Sequence, residues 1–95
     1  MKIMKSNVKG KRYTAIIDGL GTTKGKPLKI NFGSSVGSTY IDHGDEVKRT
    51  NYLKRHKVNE DWTKINAGSL SALILWGPSK DINVNIANYK NKFGL

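Results

Sequence analysis

The middle of the chain reads FGSSVGSTYIDHGDEVKRTNYLKRHKVNEDWTKINAGSLSALILWGP over residues 32–78, and most signals for fold and function lie in it. Both histidines, both tryptophans and five of the seven acids of the chain fall within this stretch. The chain has no cysteine, so disulfides and thiolate metal sites are excluded. A candidate site is therefore predicted among these central residues.

The acidic start and basic end of residues 45–57 predict a helix. Asp42 or Asp45 can cap its first turn, because acids favour the positive end of a helix dipole. The basic run 54–57 lies at the opposite, negative end. Three- and four-residue spacing predicts one shared face. Its members are Arg49, Tyr52, Leu53 and His56.

The apolar run LSALILW, residues 70–76, predicts the central buried element because it is apolar nearly all round. Ser69 is the expected N-cap, and Gly77-Pro78 the expected end. A strand is an open alternative, since the run is short enough for either structure. The predicted core contains Trp62, Leu73, Ile74 and Trp76. The substitution Trp76→Ala is then expected to cost ~3–5 kcal/mol.

The N-terminal third predicts two antiparallel strands. Residues 12–18 are rich in β-branched and aromatic side chains, and residues 28–32 alternate apolar with polar positions. Glycines at 19 and 21 separate them. Residues 1–10 can form a tail, an arm that adds to a neighbour's sheet, or an edge strand.

The last segment, from Ser79, is predicted to be a helix that ends at Gly94. Ile82, Ile86 and Tyr89 recur at helical spacing, although alternation near its start also fits a strand. The fold class predicted for the chain is α+β, with an N-terminal antiparallel β-hairpin packed against two or three helices. We expect a basic arm over residues 1–10 and a single small domain over residues 11–95.

The net charge of +10 predicts a polyanionic partner. Residues 1–29 hold eight basic residues against one acid, a charge of +7, and the rest of the chain holds +3. We therefore expect the contact with nucleic acid or an acidic protein partner to lie near the N-terminus. The predicted contact residues are Lys2, Lys5, Lys9, Lys11, Arg12, Lys24, Lys26 and Lys29.

The central acids and bases predict a structural network and not an enzyme. We expect Asp42, Asp45 or Glu46 to pair with Arg49, and an acid at 60 or 61 to pair with Arg55. The remaining members of this network are His56, Trp62 and Trp76. No cofactor and no metal are predicted, because a His-Asn-His nuclease needs a later histidine and none follows His56. A small metal-dependent nuclease is the least favoured alternative.

The order of motifs in residues 32–78 resembles a family of small basic proteins of unknown function from large double-stranded DNA viruses and tailed phages, including crAss-like phages. The resemblance implies a viral origin and a shared fold, and transfers no catalytic residue. Gly44 stands where that family tends to have lysine, and Leu70 with Ala72 replaces bulkier aromatic residues. The matching residues are Tyr40, Asp42, His43, Asp45, Glu46, Arg49, Tyr52, Arg55, His56, Glu60, Trp62, Trp76 and Pro78.

Two functions follow as expectations. The favoured one is an auxiliary or minor capsid protein present in many copies in the virion, made in the host cytoplasm. Its basic N-terminal part would dock on the major capsid protein, on other virion proteins or on packaged DNA. The alternative is a non-structural viral nucleic-acid-binding protein. The virion role is favoured because the aromatic residues are predicted to face the core, whereas single-strand binders expose them. No membrane partner is expected, because the longest apolar run is far too short to span a bilayer.

Overall fold

The computed structural model describes residues 1–17 and 27–95. Within them an N-terminal antiparallel sheet is followed by helices, which confirms the predicted α+β class. The predicted stop at residues 19–21 and the candidate contacts Lys24 and Lys26 lie outside the described residues. The elements are β1 Lys2–Lys5, β2 Lys11–Ile17, β3 Leu28–Ser34, α1 Tyr40–His43, α2 Glu46–Lys57, α3 Ala67–Leu70 with its π-helical continuation Ser71–Leu75, and α4 Ile82–Phe93.

The sheet has the order β1-β2-β3, so the predicted hairpin of β2 and β3 carries a third strand on its outer side. Of the three alternatives for residues 1–10, the structure has the edge strand over Lys2–Lys5. Ala15 lies opposite both Ile3 and Ile30, and Ala15 and Ile17 are fully buried. Alternation along a strand sends every second side chain to the same face, so this face of the sheet meets the helices.

Helix α2 begins where the sequence predicts, because Asp45 is its N-cap. The Asp45 carboxylate accepts hydrogen bonds from the backbone N–H groups of Val47 and Lys48. The short helix α1 was not predicted. Asp42 bonds back to the N-terminal end of α1, at Thr39, and a single turn has no periodicity that a pattern search can detect.

The apolar run is helical and not a strand, but its start differs from the prediction. The N-cap is Asn66, three residues before Ser69. The Asn66 side chain accepts from the Ser69 N–H at 2.8 Å, and the Ser69 hydroxyl accepts from the Asn66 N–H at 3.1 Å. These two reciprocal hydrogen bonds form a capping box. Asn and Ser take the places of the usual Ser or Thr and Glu or Gln, so the sequence pattern does not indicate it.

The core is formed by the inner sheet face, the π-helical turn and α4. Ile74 is fully buried as predicted, whereas Leu73 and Trp76 are half-buried at the edge of the core. The prediction for Trp62 is wrong: it lies in the loop after α2, outside the core cluster of the described residues. An isolated tryptophan in a connector has no periodicity to indicate its direction. The buried cluster is Ala15, Phe32, Leu70, Ile74, Leu75 and Tyr89.

The last segment is helical and ends at Gly94 as predicted, with Gly94 in the left-handed region at φ 66°, but α4 begins at Ile82 with Asp81 as N-cap and not at Ser79. Its buried Asn85 connects two elements of the core. The Asn85 amide donates to the carbonyls of Ile74 at 2.8 Å and Ser79 at 2.7 Å. Its own oxygen accepts from the Ser79 N–H at 3.1 Å. The end of the π-helical turn is thereby held against α4.

Candidate nucleic-acid interface

The inner face of α2 is the predicted one. Its half-buried residues are Arg49, Tyr52, Leu53 and His56, and the other eight residues of the helix are exposed. None of the twelve is fully buried. Helix α2 is therefore a surface helix with five lysines and arginines against one acid, a formal charge of +4.

Four rings from three parts of the chain form a continuous stack, which we name the aromatic column. Trp76 stacks on Tyr52 with ring centroids 4.2 Å apart and planes 5° apart. Tyr52 stacks in turn on His56 at 4.0 Å. His43 lies 5.3 Å from Trp76 at the other end, tilted by 60°. Offset stacking of this kind is worth about 0.5–1.5 kcal/mol per pair beyond burial, so the column positions α2.

Arg49 joins the column to the end of the π-helical turn. Its Nε donates to the carbonyls of Trp76 and Gly77, both at 3.0 Å. Its guanidinium lies 5.6 Å from the ring centroid of Tyr40, and Glu46 is at a long 3.9 Å. The predicted pairing of Arg49 with Glu46 is thus a minor contact, and the carbonyl bonds, which are 27 and 28 residues away in sequence, are the main ones.

His43 is held in one tautomer by the backbone. Its Nδ1 accepts a hydrogen bond from the Asp45 N–H at 2.8 Å, so the proton of the neutral ring lies on Nε2. Nε2 is buried and has no hydrogen-bond partner among the described residues. The tilted ring of Trp76 is its neighbour. This geometry suits a weak N–H to π contact.

The loop after α2 closes back on the helix through Glu60. One carboxylate oxygen of Glu60 bonds His56 Nδ1 at 3.0 Å, and the other accepts from the Trp62 indole N–H at 2.9 Å. The predicted partner of this acid was Arg55, which pairs with no acid among the described residues. His56 takes that place because it is one helical turn from Glu60 on the half-buried face.

A cleft of about 560 Å³ opens between α1 and the exposed side of α2, and we name it the basic cleft. Three cations and no acid line it among the described residues. Its lining residues are Ser38, His43, Lys48, Asn51, Lys54, Arg55 and Trp76. Lys48, Asn51 and Arg55 share a helix face by their spacing of three and four residues, a signal that could have found the cleft.

A second cleft, of about 440 Å³, lies on the other side of Trp76 and is named the polar cleft. Ser38 and Trp76 line both clefts, so the two are contiguous. The polar cleft also contains His56, Glu60 and Ser71, with Lys11 at its border.

The deep position of Tyr52 in the column changes its ionisation. Burial raises the pKa of the Tyr52 hydroxyl from 10.0 to about 12, and the negative charge of Glu60 adds to this effect. Tyr52 is therefore neutral at any physiological pH. It contributes a ring face to the column and an uncharged hydroxyl to the surface.

The predicted N-terminal contacts are dispersed. Lys5, Lys11 and Arg12 line a third hollow of about 330 Å³, which meets the polar cleft at Lys11. Lys2 and Lys29 flank Ile16 across the outer face of the sheet, and Lys9 is exposed in the turn after β1. The N-terminal lysines within residues 1–17 and 27–29 thus form no single patch.

Arg12 is engaged within the chain. It pairs with Asp42 at 2.9 Å and donates to the carbonyls of Ser34 and Gly37. Asp42 was predicted to pair with Arg49 instead. The hydrogen bond from the Thr39 backbone, and then Arg12, hold the pKa of the Asp42 carboxyl below its ordinary value of 3.8. Arg12 and Asp42 therefore fix α1 to the sheet.

Within residues 1–17 and 27–95, no three histidines or acids lie close enough together to hold a metal ion. In the same part of the chain, no helix has the length and apolar character needed to cross a membrane.

Comparison with known proteins gives one finding. The model of a family described as "Family of unknown function (DUF5754)" matches residues 1–56. No curated protein and no solved structure matches the chain. The matched residues run from β1 to His56, the penultimate residue of α2, and include all three cations of the basic cleft. Trp76, which separates the two clefts, lies beyond them.

Proposed function

The chain belongs to the family of unknown function (DUF5754), and we propose that it is a non-enzymatic nucleic-acid-binding protein. The proposed contact is between the phosphate backbone and the basic cleft. This role was the alternative from the sequence, and the geometry favours it over the virion role. The reason is that Trp76 and Tyr52 are only half-buried and line the clefts beside the cations of α2.

The single observation that carries the proposal is the charge of the basic cleft. Lys48, Lys54 and Arg55 line it together, and no acid lines it among the described residues. Three cations in one concave surface attract a polyanion, because each phosphate they neutralise releases condensed counterions. Asn51 adds a neutral donor and acceptor in the same cleft.

None of the acids among the described residues lines the basic cleft. Each of the six acids among the described residues accepts a hydrogen bond from the chain itself. These acids are Asp42, Asp45, Glu46, Glu60, Asp61 and Asp81. Lys48, Lys54 and Arg55 form no salt bridge with a described acid and are therefore available to a partner, and the net charge of +10 acts in the same direction.

The test is the salt dependence of binding after removal of the three charges. Lys48, Lys54 and Arg55 are replaced by glutamine, and affinity for a labelled duplex is measured by fluorescence anisotropy from low to high salt. The slope of log affinity against log salt should become shallower by about 2–3, since each duplex phosphate contact contributes roughly 0.9.

The matched control removes three charges that line neither cleft, by changing Lys64, Lys90 and Lys92 to glutamine. This control should leave the slope nearly unchanged. Equal slopes for the two triple variants, or binding by wild type that does not respond to salt, would refute the proposed function.

The auxiliary virion protein of viral origin is the second candidate. The observation that favours it is strand β1, which lies at the edge of the sheet with Lys2 and Lys5 exposed. A free edge can pair with a strand of a capsid or other virion protein, and many copies could then attach to a shell. Absence of salt-dependent binding together with high copy number in purified particles would favour this candidate over the first.

A further inference from the structure

We propose that the polar cleft takes one unpaired nucleotide of the bound strand, so that the protein binds single-stranded nucleic acid in preference to duplex. This inference rests on the proposed function and specifies its ligand. The polar cleft is a separate space from the basic cleft, and the charge argument above does not use it.

The dimensions of the polar cleft fit a nucleotide. Its volume of about 440 Å³ lies within the ~300–1,000 Å³ that small-ligand sites occupy. Gly68 lines it without a side chain and leaves room for the Glu60 carboxyl group, because a Cβ there would lie 3.0 Å from the Glu60 carboxyl carbon. Its apolar lining includes the half-buried rings of Tyr52 and Trp76. A nucleobase, which is a flat ring with apolar faces and polar edges, matches such a lining.

The polar groups of the cleft can read the edge of a base. His56 gives its Nδ1 to Glu60, which leaves Nε2 without a partner among the described residues. The hydroxyls of Ser38 and Ser71 also line the cleft and make no side-chain hydrogen bond to a described residue. Bases of single strands present donors and acceptors at their Watson–Crick edges, whereas a paired base has already used them.

The position of the cleft continues the path of the strand. Ser38 and Trp76 form the boundary with the basic cleft, and Lys11 lies on the lining of both the polar cleft and the N-terminal hollow. A nucleotide in the polar cleft would therefore have cations on both sides for its neighbouring phosphates. A base of a duplex could enter the polar cleft only after it had unpaired and left the base stack. This step costs a few kcal/mol.

The test fills the polar cleft without touching the basic cleft. Ala67 is exposed, lies at the start of α3 and lines only the polar cleft, so Ala67→Leu reduces its volume. Ala87 is exposed on α4 and lines neither cleft, so Ala87→Leu is the matched control. Affinities are measured for labelled oligothymidylate, oligouridylate and a duplex of the same length.

Wild type should bind at least one of the two single strands roughly tenfold tighter than duplex, as expected for one accommodated base. Ala67→Leu should lose that preference and keep its duplex affinity, and Ala87→Leu should behave as wild type. A second variant, His56→Phe, retains a ring to stack on Tyr52 and removes both ring nitrogens, the free Nε2 and the Nδ1 that bonds Glu60. It should also weaken single-strand binding selectively.

Equal affinity of wild type for single strands and duplex would overturn this inference, as would an unchanged preference in both Ala67→Leu and His56→Phe. The proposed function still stands after these results if the triple glutamine variant of Lys48, Lys54 and Arg55 weakens duplex binding. If that triple variant changes nothing, the proposed function itself fails. The two failures are therefore distinguishable.

Discussion

The two sides of the apolar run face very different surroundings. Towards α4, Ile74, Asn85 and Tyr89 are completely buried, whereas α2 has no fully buried residue in twelve. Close packing holds the first region together, and each buried side chain there has few alternative conformations. The second is held by the aromatic column and by Arg49. Stability should therefore depend on the buried region, and binding on α2.

Asn85 should show the largest effect on folding. Asn85→Ala removes two donors and one acceptor from a site with no access to solvent, and leaves the carbonyls of Ile74 and Ser79 unpaired. We expect the free energy of unfolding to fall by about 3 kcal/mol. Urea unfolding followed by circular dichroism measures it. Asn83→Ala, at an exposed position of the same helix, is the control and should change stability little.

Similar decreases in the free energy of unfolding for Asn85→Ala and Asn83→Ala would mean that the buried region does not contribute more to stability than the surface. The distinction between the two regions would then be wrong.

Trp76 joins the two regions, so its removal should have an intermediate effect. Trp76→Ala should lower the free energy of unfolding by about 2 kcal/mol, less than for a fully buried tryptophan because Trp76 is half-buried. It should also expose Tyr52 and bring its pKa from about 12 back towards 10.0, since burial is the main cause of the shift. Phenolate absorbance against pH measures this change.

Trp76→Phe is the matched control, because it keeps a ring against Tyr52. A Tyr52 pKa near 12 in both variants would show that the column does not cause the burial.

The link between Asp42 and Arg12 should have the smallest effect, and it should depend on pH. Because the pKa of Asp42 is lowered in the folded state, its contribution is present above pH 3.8 and is lost as pH falls through the folded value. Asp42→Asn should cost roughly 0.5 kcal/mol at pH 7, after solvent screening of this half-exposed pair. Urea midpoints of wild type and variant should converge at pH values below the folded pKa of Asp42.

A constant difference between the two proteins across this pH range would contradict the assignment. It would show that the Asp42 contribution to stability is not electrostatic.

Local signals in the sequence were enough for the two long helices, α2 and α4. Helix α2 has its acid at the N-cap and its basic run at the end, and α4 has its apolar period and a terminal glycine. These features act over three or four residues, so a linear pattern contains them in full. The face of α2 that packs inward was predicted correctly for the same reason.

The spacing of Lys48, Asn51 and Arg55 could indicate one cationic face of α2. The shape of the two clefts could not be predicted, because it depends on contacts between distant residues. Arg49 bonds carbonyls 27 and 28 residues later, and Arg12 bonds an acid 30 residues later. The sequence also placed the cationic contact near the N-terminus, since most of the excess charge lies there. Counting charge along the chain ignores which cations an acid already engages, as Asp42 engages Arg12.

Composition, caps and periodicity thus determine that this chain is a small basic α+β domain with helices at the positions of α2 and α4. The packing of Trp76 between His43 and Tyr52 determines that two clefts meet beside the cations of α2. The physical reason is range: capping and helical spacing are local interactions, whereas a cleft exists only after loop closure brings residues separated by more than 20 positions together.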